Sequence, residues 1–544
     1  MPAAAVVLGA LLPAPAVAQA GGYPYTNDDD LYTFVSRPEL KPPKLDVEIY
    51  EREARSPGYF FLAPYNRTFE WDHGEPTWKA CVMGPAIYDD EGVRLVWSGA
   101  CDYANRNVFD FRPTTYDGRP HVSLNVVHGD ETPRGAGLIL DDSYRVARNV
   151  LMSAAPGALN QHEFNVIDGG KTALFITEGS ETVDGAQVGL AEPTLVRWNA
   201  FIEWDLTQEG SVFEWNALDY VPLNESTYGW PKPVLPDETP TPWDFLHMNS
   251  VEKFPDGDFL ISARYTNSIM RVSRKDGSVL WRLGGKASDF QLLDERLAFS
   301  RQHDARVHAS NSTHTLVSLL DNAVGSLVGD DEPTANASAG LFALLHHPPD
   351  RWEEWTASLA RFIPRPDAKY TMLRGSLQTL PFPEGRKPAH HDPFSADVPA
   401  LVCWSSRGYQ TEYDAQGRIV AEARFRSPRL DTYRAYKGAW AGQPGEPIAL
   451  VARAYSAANA DNNDGHTDDD DDTTITLAHV SWNGATAVRA YRLTGRLAEG
   501  STSHPIPLGE FTRTGFETAM AVRARVDAVT VEALDSSGSV LGRS

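Results

Sequence analysis

The sequence predicts an all-β protein: a five- or six-bladed β-propeller followed by a small C-terminal β-sandwich. Its 544 residues require two or more domains or one large repeat domain. They include 42 Gly, 20 Tyr and 14 Trp, a composition typical of β-rich structure with many turns. A strand–turn–strand pattern also recurs along the chain, and this recurrence favours a propeller.

The repeat is clearest in three copies that begin with a histidine, at His162, His247 and His303. Each copy reads histidine, three residues, valine, eight residues, two large apolar residues, and then serine or threonine. Turn residues such as Asp256 and Gly257 separate the two apolar runs, as in a β-hairpin. The copies are unequally spaced, which indicates insertions between blades rather than a short solenoid period.

Two further copies carry another residue at the histidine position, Met83 in one and Leu373 in the other. A second apolar strand pair follows most copies, so each unit is predicted to form a four-stranded blade. The alternative is an unrelated series of hairpins in a sandwich. Such a series would not need the constant register that the histidine copies keep.

The pattern divides the chain into four parts. Residues 1–20 are predicted to be a signal peptide, because an apolar run precedes a small-x-small cleavage site, although a basic start is missing. Residues 21–57 form a Pro-rich extended arm. Residues 58–437 form the propeller, and residues 438–544 contain strand-like segments that predict a β-sandwich-like domain.

Charge and apolar pattern exclude several partners. A formal net charge of -24 argues against nucleic acid and against anionic membrane surfaces, since both require basic patches. After the leader, no segment has the roughly 18 continuous apolar residues of a membrane helix. We therefore expect a secreted, extracellular monomer that uses neither nucleic acid nor a membrane.

The cysteines and the glycosylation motifs agree with export. Cys81 and Cys101 are close enough in sequence to form a disulfide in an oxidising compartment, whereas Cys403 stands in an apolar run and is expected to be a buried thiol. Four Asn-X-Ser/Thr triplets predict N-glycosylation. They begin at Asn66, Asn224, Asn311 and Asn336.

Two motifs suggest metal binding but are interpreted otherwise, and no cofactor is predicted. His390 and His391 lie in a Pro-rich loop without a third ligand, which favours a solvent-exposed pair. In the acidic loop of residues 461–472, placing Gly465 at the sixth EF-hand position puts the first ligand on Ala460. A solvated acidic loop is expected there, with a weak cation site as the alternative.

The repeated histidines predict a site in the propeller channel. The innermost strand of each blade lines that channel, so His162, His247 and His303 would converge at one mouth. Neutral imidazole can act as a nucleophile or base, and arginine stabilises charge on transferred oxyanions. A three-histidine metal site is an alternative that a wide channel disfavours. The neighbours expected to bind substrate are Asn249, Arg306, Arg374 and Arg407.

Several motifs, in their order and spacing, resemble the fungal branch of the arylsulfotransferase family. They are Ser36-Arg37-Pro38-Glu39-Leu40-Lys41-Pro42-Pro43, Asp141-Asp142-Ser143-Tyr144-Arg145-Val146, His247-Met248-Asn249-Ser250, Gln302-His303-Asp304-Ala305-Arg306, Ser481-Trp482-Asn483-Gly484 and Val531-Glu532-Ala533-Leu534-Asp535. The resemblance covers nearly all of the mature chain. It implies a propeller enzyme that transfers a sulfuryl group from an aryl sulfate to a phenol through a histidine, by a ping-pong route without PAPS.

The resemblance also implies roles for residues. His247 and His303 would be channel histidines, and Arg306, Arg374 or Arg407 would hold the sulfate. Leu373 departs from the pattern, since it stands where a late repeat would carry a histidine. Two other functions stay open. One is a non-catalytic extracellular propeller that binds glycans or a partner protein, and the other is a quinone- or metal-dependent oxidoreductase.

Overall fold

The structure is a computed structural model, and it describes part of the chain. The described ranges are residues 29–66, 81–90, 93–103, 106–126, 134–151, 157–190, 192–229, 241–325, 332–350, 353–456, 474–496, 505–524 and 526–544. The predicted signal peptide and the acidic loop at 461–472 lie outside these ranges. Within them, the regular structure consists of β-strands and short 3₁₀ turns.

The first part of the chain forms twenty-seven strands. They are β1 (Leu45–Ile49), β2 (Tyr59–Asn66), β3 (Ala86–Tyr88), β4 (Leu95–Ser98), β5 (Val108–Tyr116), β6 (Arg119–Val126), β7 (Ala136–Leu140), β8 (Val146–Leu151), β9 (Ala158–Ile167), β10 (Thr172–Val183), β11 (Thr194–Asp205), β12 (Gly210–Asn216), β13 (Trp243–Asp244), β14 (Met248–Lys253), β15 (Phe259–Ala263), β16 (Ser268–Val272), β17 (Val279–Gly284), β18 (Gln291–Leu292), β19 (His303–Ser310), β20 (His314–Asp321), β21 (Ala339–His346), β22 (Thr356–Pro364), β23 (Ser376–Thr379), β24 (Ala400–Cys403), β25 (Gln410–Tyr413), β26 (Ile419–Phe425) and β27 (Leu430–Gly438).

Short 3₁₀ helices connect some of these strands. They are Arg52–Ala54, Gly185–Val188, Ala217–Asp219, Leu223–Glu225, Arg264–Thr266, Glu295–Leu297 and Ser406–Gly408. Among the described residues, no helix has the length and apolar character needed to cross a bilayer.

These strands form six sheets that follow one another along the chain. The first sheet has the order β27-β2-β3-β4, and the second to sixth begin with β5, β9, β14, β19 and β23 and continue in chain order. Three short or terminal strands extend these sheets: β1 pairs with β26, β13 with β11 and β18 with β22. Each sheet is thus built around four antiparallel strands, and in the second to sixth sheets these strands are consecutive in the chain, as the repeat predicts.

The first sheet joins the two ends of this region. Strand β27 pairs antiparallel with β2, so that Tyr59 faces Gly438 and Leu62 faces Ala435. The six first strands contact one another in the order β27, β5, β9, β14, β19 and β23, and β23 contacts β27 again. The contacts therefore run through six sheets in a ring. The predicted all-β class is confirmed, and a ring of sheets is the arrangement that a propeller requires.

One predicted repeat copy lies out of phase. The segment that starts at Met83 forms β3 and β4, the third and fourth strands of the first sheet, rather than its first two. Any neighbouring strand pair gives the same hairpin pattern, so the pattern alone could not distinguish the two positions. The first sheet instead takes its innermost strand, β27, from the far end of the region.

Two aspartates tie neighbouring sheets together at bulges. Asp110 in β5 and Asp304 in β19 have φ angles of 53° and 57°, in the left-handed region that aspartate tolerates. The Asp110 carboxylate accepts the backbone N–H of Phe164 at 2.8 Å, and that of Asp304 accepts the N–H of Leu377 at 3.0 Å. Each bulge thereby fixes the first strand of another sheet.

Apolar cores fill the space between the sheets. Phe201 of the third sheet and Phe259 of the fourth have ring centroids 4.9 Å apart, and both are fully buried. Burying a side chain of this size stabilises the fold by about 1.5–3 kcal/mol. Such cores hold the sheets in fixed orientation and so fix the side chains at the centre of the ring.

The C-terminal part forms two sheets in a sandwich. Its strands are β28 (Ala449–Ser456), β29 (Thr474–Ser481), β30 (Ala490–Arg496), β31 (Ile506–Thr512), β32 (Glu517–Val522), β33 (Ala528–Leu534) and β34 (Val540–Arg543). Their orders are β28-β29-β32 and β31-β30-β33-β34, with Val480, Tyr491 and Val531 buried in the shared core. Asn483 joins this sandwich to the first sheet through two hydrogen bonds with the Ser98 backbone, of 2.9 and 3.0 Å.

The described part of the N-terminal arm is anchored to the sandwich. Ser36 donates hydrogen bonds from its backbone N and its Oγ to Oε2 of Glu517, at 2.6 and 2.5 Å. A disulfide joins Cys81 and Cys101, whose Cα atoms are 4.4 Å apart, and the Lys41 backbone N–H bonds the Cys81 carbonyl at 3.1 Å. The arm is therefore part of the folded structure.

Candidate active site

The structure brings the three repeat histidines together. His162 lies in β9, His247 directly precedes β14, and His303 begins β19. The ring centroids of His162 and His247 are 4.9 Å apart. The ring of Tyr433 in β27 packs edge-on against two of them, with centroids 5.5 Å from His162 and 6.5 Å from His303. Three sheets therefore contribute one imidazole each to the cluster, and a fourth contributes the tyrosine that packs against two of them.

Hydrogen bonds place the proton of His303 on Nδ1. This nitrogen donates to Oδ1 of Asn322 at 2.7 Å, and the Asn322 amide is oriented by donating to the Thr371 carbonyl at 2.7 Å. The backbone N–H of Arg374 donates to Nε2 at 3.2 Å, so Nε2 carries the lone pair. Burial, and next the charge of Arg264, lower the pKa of His303 well below its usual value. His303 is therefore a neutral imidazole at neutral pH.

His162 is also held as a neutral imidazole. Its Nδ1 donates to Oδ1 of Asn160, whose amide in turn donates to Glu178 at 2.7 Å. Burial, and next the neighbouring His247, lower the pKa of His162 well below its usual value. Two of the three rings thus have an anchored Nδ1 and an Nε2 that can accept a proton or attack an electrophile.

His247 differs because it is paired with a carboxylate. Its Nδ1 lies 2.6 Å from Oδ2 of Asp244, and its side chain is 23% exposed, the most accessible of the three imidazoles. Burial alone raises the pKa of Asp244, but attraction to His247 outweighs it and the net pKa is lowered. A carboxylate in this position stabilises the imidazolium form. His247 is therefore suited to giving and taking a proton.

Arg264 is a residue of the cluster that the sequence interpretation missed. It begins the 3₁₀ helix after β15 and is 8% exposed. Its guanidinium stacks on the Tyr265 ring at 4.9 Å but makes no hydrogen bond or ion pair with the described residues, and its Nε is buried without a partner. The Arg264 charge helps to lower the pKa of the nearby Asp244 carboxyl, but the two side chains form no direct ion pair. An anionic ligand that accepts a hydrogen bond from Nε would therefore stabilise this position. The available signal was an arginine two residues beyond the repeat pattern of the His247 copy.

Arg374 is the predicted substrate-binding residue that the structure places at the histidines. It precedes β23 with a φ of 67°, and its backbone N–H reaches His303. Its guanidinium lies over the ring of Tyr65, 4.8 Å from the centroid, and donates to the Tyr65 hydroxyl. Arg374 and Arg264 therefore bring positive charge to the same cluster, as their effects on the two histidines indicate.

The other three predicted substrate-binding residues have different partners. Asn249 is fully buried and donates from Nδ2 to the Gln302 carbonyl at 2.7 Å. Arg306 forms ion pairs with Glu163 at 2.9 Å and Asp304 at 2.6 Å. Arg407 donates to backbone carbonyls of residues 425 and 426 at 3.1 and 3.2 Å. The Arg306 guanidinium is therefore held in ion pairs, whereas Oδ1 of Asn249 and Nε of Arg407 are buried without a hydrogen-bond partner among the described residues. The assignment of these three residues as substrate ligands stays a prediction.

The centre of the ring is filled by ion pairs. The guanidinium of Arg434 reaches Asp110 at 2.8 Å, Glu163 at 3.2 Å and Asp304 at 3.3 Å, and it also bonds the Asn249 carbonyl at 2.8 Å. One side chain of the first sheet therefore contacts the second, third, fourth and fifth sheets. With Arg112 and Arg306 on the same carboxylates, three cations balance three anions. Among the described residues, no group of three or more His, Cys, Asp or Glu is arranged to hold a metal.

The predicted modification sites lie on different surfaces. Asn66 is 5% exposed in β2, a position that a glycosylating enzyme could not reach in the folded protein. Asn224, Asn311 and Asn336 are exposed. Cys403 is a buried free thiol, and burial raises its pKa to about 12, so it is unreactive at neutral pH.

Comparison with known proteins gives one family. The family model described as arylsulfotransferase (ASST) matches residues 130–426, which include the three histidines, Arg264 and Arg374. No curated protein matches the chain.

Several solved structures are similar in part. A protein of unknown function from Bacteroides caccae is 10% identical, with 70% of this chain and 99% of that chain covered and a TM-score of 0.36. Hydrazine synthase from Kuenenia stuttgartiensis is 10% identical, with 61% and 70% covered and a TM-score of 0.29. The GH43 protein BlXynB from Bacillus licheniformis is 7% identical, with 80% and 88% covered and a TM-score of 0.28.

Proposed function

Because the chain belongs to the arylsulfotransferase family, we propose that it transfers a sulfuryl group from an aryl sulfate to a phenolic acceptor through a channel histidine, without PAPS. One observation carries the proposal. A neutral imidazole, a carboxylate-paired imidazole and a buried guanidinium that forms no direct ion pair with the described residues meet in one cluster, at His303, His247 and Arg264. These are the groups that nucleophilic transfer of an anionic group requires.

His303 is the proposed nucleophile. Attack on sulfur requires a neutral imidazole with a directed lone pair, and Asn322 holds the His303 proton on Nδ1 so that the lone pair lies on Nε2. The hydrogen bond from the Arg374 backbone N–H to Nε2 is 3.2 Å long, at the long end of the normal range. In the proposed reaction this hydrogen bond breaks as Nε2 bonds to sulfur. His303 is favoured as the nucleophile over His162, which is also neutral, because Arg264 is the charged group that acts most strongly on His303.

His247 is the proposed acid and base. In the first half-reaction, His303 Nε2 forms a bond to sulfur while the S–O bond to the aryl group breaks, and the imidazolium of His247 protonates the leaving phenolate. In the second half-reaction, His247 takes the proton of the acceptor phenol, whose oxygen attacks sulfur and breaks the N–S bond. Asp244 stabilises the charged form of His247 through both steps. The two half-reactions make a ping-pong cycle that returns both histidines to their starting states.

Arg264 and Arg374 are the proposed sulfate ligands. The sulfate carries a negative charge, and the Nε of Arg264 is buried without a hydrogen-bond partner among the described residues. Guanidinium groups bind such oxyanions through paired N–H donors. The aromatic ring of the substrate would lie near Tyr265, whose ring centroid is 4.6 Å from that of His247. Tyr228 stacks on Tyr265 at 3.8 Å and extends this aromatic surface.

Incubation of the purified protein with 4-nitrophenyl sulfate and a phenol, without PAPS, tests the proposal. We expect release of 4-nitrophenolate together with a sulfated acceptor. With the donor alone, peptide mass spectrometry should find one SO₃ group on His303. A folded sample that transfers sulfuryl to none of several phenols would overturn the proposed function.

The assignment of the nucleophile is tested by substitution in the same assay. His303→Ala should abolish transfer, whereas His391→Ala, in the loop far from the cluster along the chain, should not change it. If His303→Ala still forms a sulfohistidine while His162→Ala does not, the nucleophile is His162.

Secretion is proposed as well. The Cys81–Cys101 disulfide is typical of proteins that fold in an oxidising compartment, and three of the four glycosylation motifs have an exposed asparagine. Expression in a eukaryotic secretory host, followed by glycosidase treatment and mass analysis of Asn224, Asn311 and Asn336, tests this. Protein retained inside the cell without any glycan would contradict it.

A further inference from the structure

Within the described part of the chain, the hydroxyl of Tyr433 is a buried polar group without a partner. Tyr433 belongs to β27 and lies outside the residues that the family model matches. Its side chain is 1% exposed, and among the described residues no atom forms a hydrogen bond with its Oη. Leaving a buried hydroxyl unsatisfied costs free energy that phenylalanine at this position would avoid. The hydroxyl therefore needs an explanation outside the protein's own hydrogen bonds.

The neighbouring tyrosine shows how the fold satisfies such a group elsewhere. Tyr436, in the same strand, donates its hydroxyl proton to Oδ1 of Asp110 at 2.8 Å. Tyr433 has no such carboxylate although it is just as buried. The two tyrosines thus lie in one strand, and of the two only Tyr433, whose ring packs against the histidines, has a hydroxyl without an acceptor among the described residues.

The backbone and ring contacts of Tyr433 fix it against the histidine cluster. Its carbonyl accepts the backbone N–H of Gly375 at 3.0 Å, next to Arg374. Its ring packs edge-on against Phe109 at 5.6 Å as well as against His162 and His303. These contacts hold the ring in place, so a hydrogen-bond acceptor on a molecule bound at the cluster would supply the partner that the hydroxyl lacks.

We propose that the Tyr433 hydroxyl donates a hydrogen bond to a sulfuryl oxygen of the bound aryl sulfate and keeps its proton throughout the reaction. This inference rests on the proposed function. Sulfate oxygens only accept hydrogen bonds, so the ligand supplies the acceptor that the protein lacks. Burial raises the pKa of Tyr433, which keeps the hydroxyl protonated and able to donate. A fixed donor of this kind stabilises charge that shifts onto the sulfuryl oxygens during transfer.

The test compares two substitutions that each remove one unpartnered buried hydroxyl. Tyr433→Phe removes the proposed donor and keeps the ring. Tyr413→Phe is the matched control, because Tyr413 in β25 of the sixth sheet is 4% exposed and its hydroxyl also lacks a partner among the described residues. We expect kcat/KM for 4-nitrophenyl sulfate to fall about 10²-fold in Tyr433→Phe and to stay unchanged in Tyr413→Phe. The melting temperature should not fall in either variant, since no protein hydrogen bond is lost.

Each outcome decides the proposal. Unchanged kcat/KM in Tyr433→Phe, or a melting temperature that falls together with activity, would overturn it. If the wild-type protein transfers no sulfuryl group, the proposed function fails, and calorimetric binding of 4-nitrophenyl sulfate then replaces the kinetic readout. In that case Kd should rise about tenfold in Tyr433→Phe and not in Tyr413→Phe. Equal affinity in all three proteins, or no binding by any of them, would overturn the inference.

Discussion

Nδ1 of His247 lies 2.6 Å from Oδ2 of Asp244, three residues earlier in the chain. The backbone holds both partners. Asp244 ends β13, which pairs in parallel with β11 of the third sheet at Arg197, whereas His247 adopts a φ of 55° and leads into β14 of the fourth sheet. The carboxylate and the imidazole are therefore positioned by two neighbouring blades, which fixes the ring that is proposed to transfer the proton.

Asp244→Asn is predicted to lower kcat for sulfuryl transfer by about 10²-fold or more, because a neutral amide cannot stabilise the imidazolium of His247. Asparagine is nearly isosteric with aspartate, so circular dichroism should show an unchanged fold. Steady-state kinetics with 4-nitrophenyl sulfate gives the measurement. Asp276→Asn, at an exposed turn where the carboxylate binds Ser278, is the control and should keep wild-type kcat. A wild-type kcat in Asp244→Asn would refute the role given to this carboxylate.

The two arginines Arg264 and Arg306 are predicted to respond in opposite ways to substitution by glutamine. Arg264→Gln should lower kcat/KM by about 10²-fold with little change in melting temperature, because its guanidinium binds no described acceptor. Arg306→Gln should destabilise the protein by about 3–5 kcal/mol, because Glu163 and Asp304 would lose a buried partner. Kinetics and urea unfolding of both variants separate the two effects. Equal behaviour of the variants would contradict the division between ligand-binding and structural arginines.

Most of the fold could be predicted from sequence because hairpin periodicity is a local signal. The copies at His162, His247, His303 and Leu373 do lead into the first two strands of sheets three to six. The first sheet could not be predicted in the same way. Its innermost strand, β27, pairs with β2, which lies more than 360 residues earlier in the chain, as in the pair Leu62 and Ala435. A local sequence pattern cannot specify such a distant partner. The Met83 copy was therefore assigned to the wrong strands.

The site was predictable only in part, for a similar reason. The histidines share one repeat phase, and that phase places them at one cluster. Which arginine faces them depends on which cations are already paired, and pairing is a property of the assembled ring. Arg306 has the charge expected of a sulfate ligand, but in the folded protein its guanidinium pairs with Glu163 and Asp304. The sequence gives no sign that Arg264 forms no direct ion pair among the described residues and leaves its Nε without a partner.

Replacing Arg434 is predicted to destabilise the propeller more than any exposed arginine does. In Arg434→Gln, three buried carboxylates would keep only two guanidinium partners, a loss of about 3–5 kcal/mol. Arg296→Gln is the control, since its pair with Asp294 is exposed to solvent and such pairs contribute little to stability. Urea unfolding followed by tryptophan fluorescence gives the comparison. Similar midpoints for the two variants would show that the central ion pairs are dispensable.

The carboxyl group of Asp321 predicts a loss of stability as pH rises from about 4 to about 7. It is 2% exposed at the end of β20, and burial raises its pKa to about 7 although its Oδ1 accepts the N–H groups of Ser300 and Ala323 at 3.0 and 2.8 Å. The unfolded chain releases this proton near pH 4, whereas the folded chain keeps it until about pH 7. Between these pH values the folded state binds one proton more than the unfolded state. The free energy of unfolding therefore falls, as pH rises, by up to about 1.4 kcal/mol per pH unit.

Asp321→Asn keeps the acceptor oxygen and removes the titration, so its stability should vary less with pH across this window. The measurement is the urea midpoint of both proteins at intervals from pH 4 to pH 8. Asp205→Asn is the control, because the pKa of Asp205 is lowered by hydrogen bonds from Thr207 and by the backbone N–H of Gln208, and its carboxylate is already ionised throughout the window. The urea midpoint of Asp205→Asn should therefore vary with pH in parallel with that of the wild type. The midpoint of Asp321→Asn should equal the wild-type midpoint at low pH and exceed it at high pH. Parallel curves for Asp321→Asn as well would show that this carboxyl group does not hold its proton in the folded state.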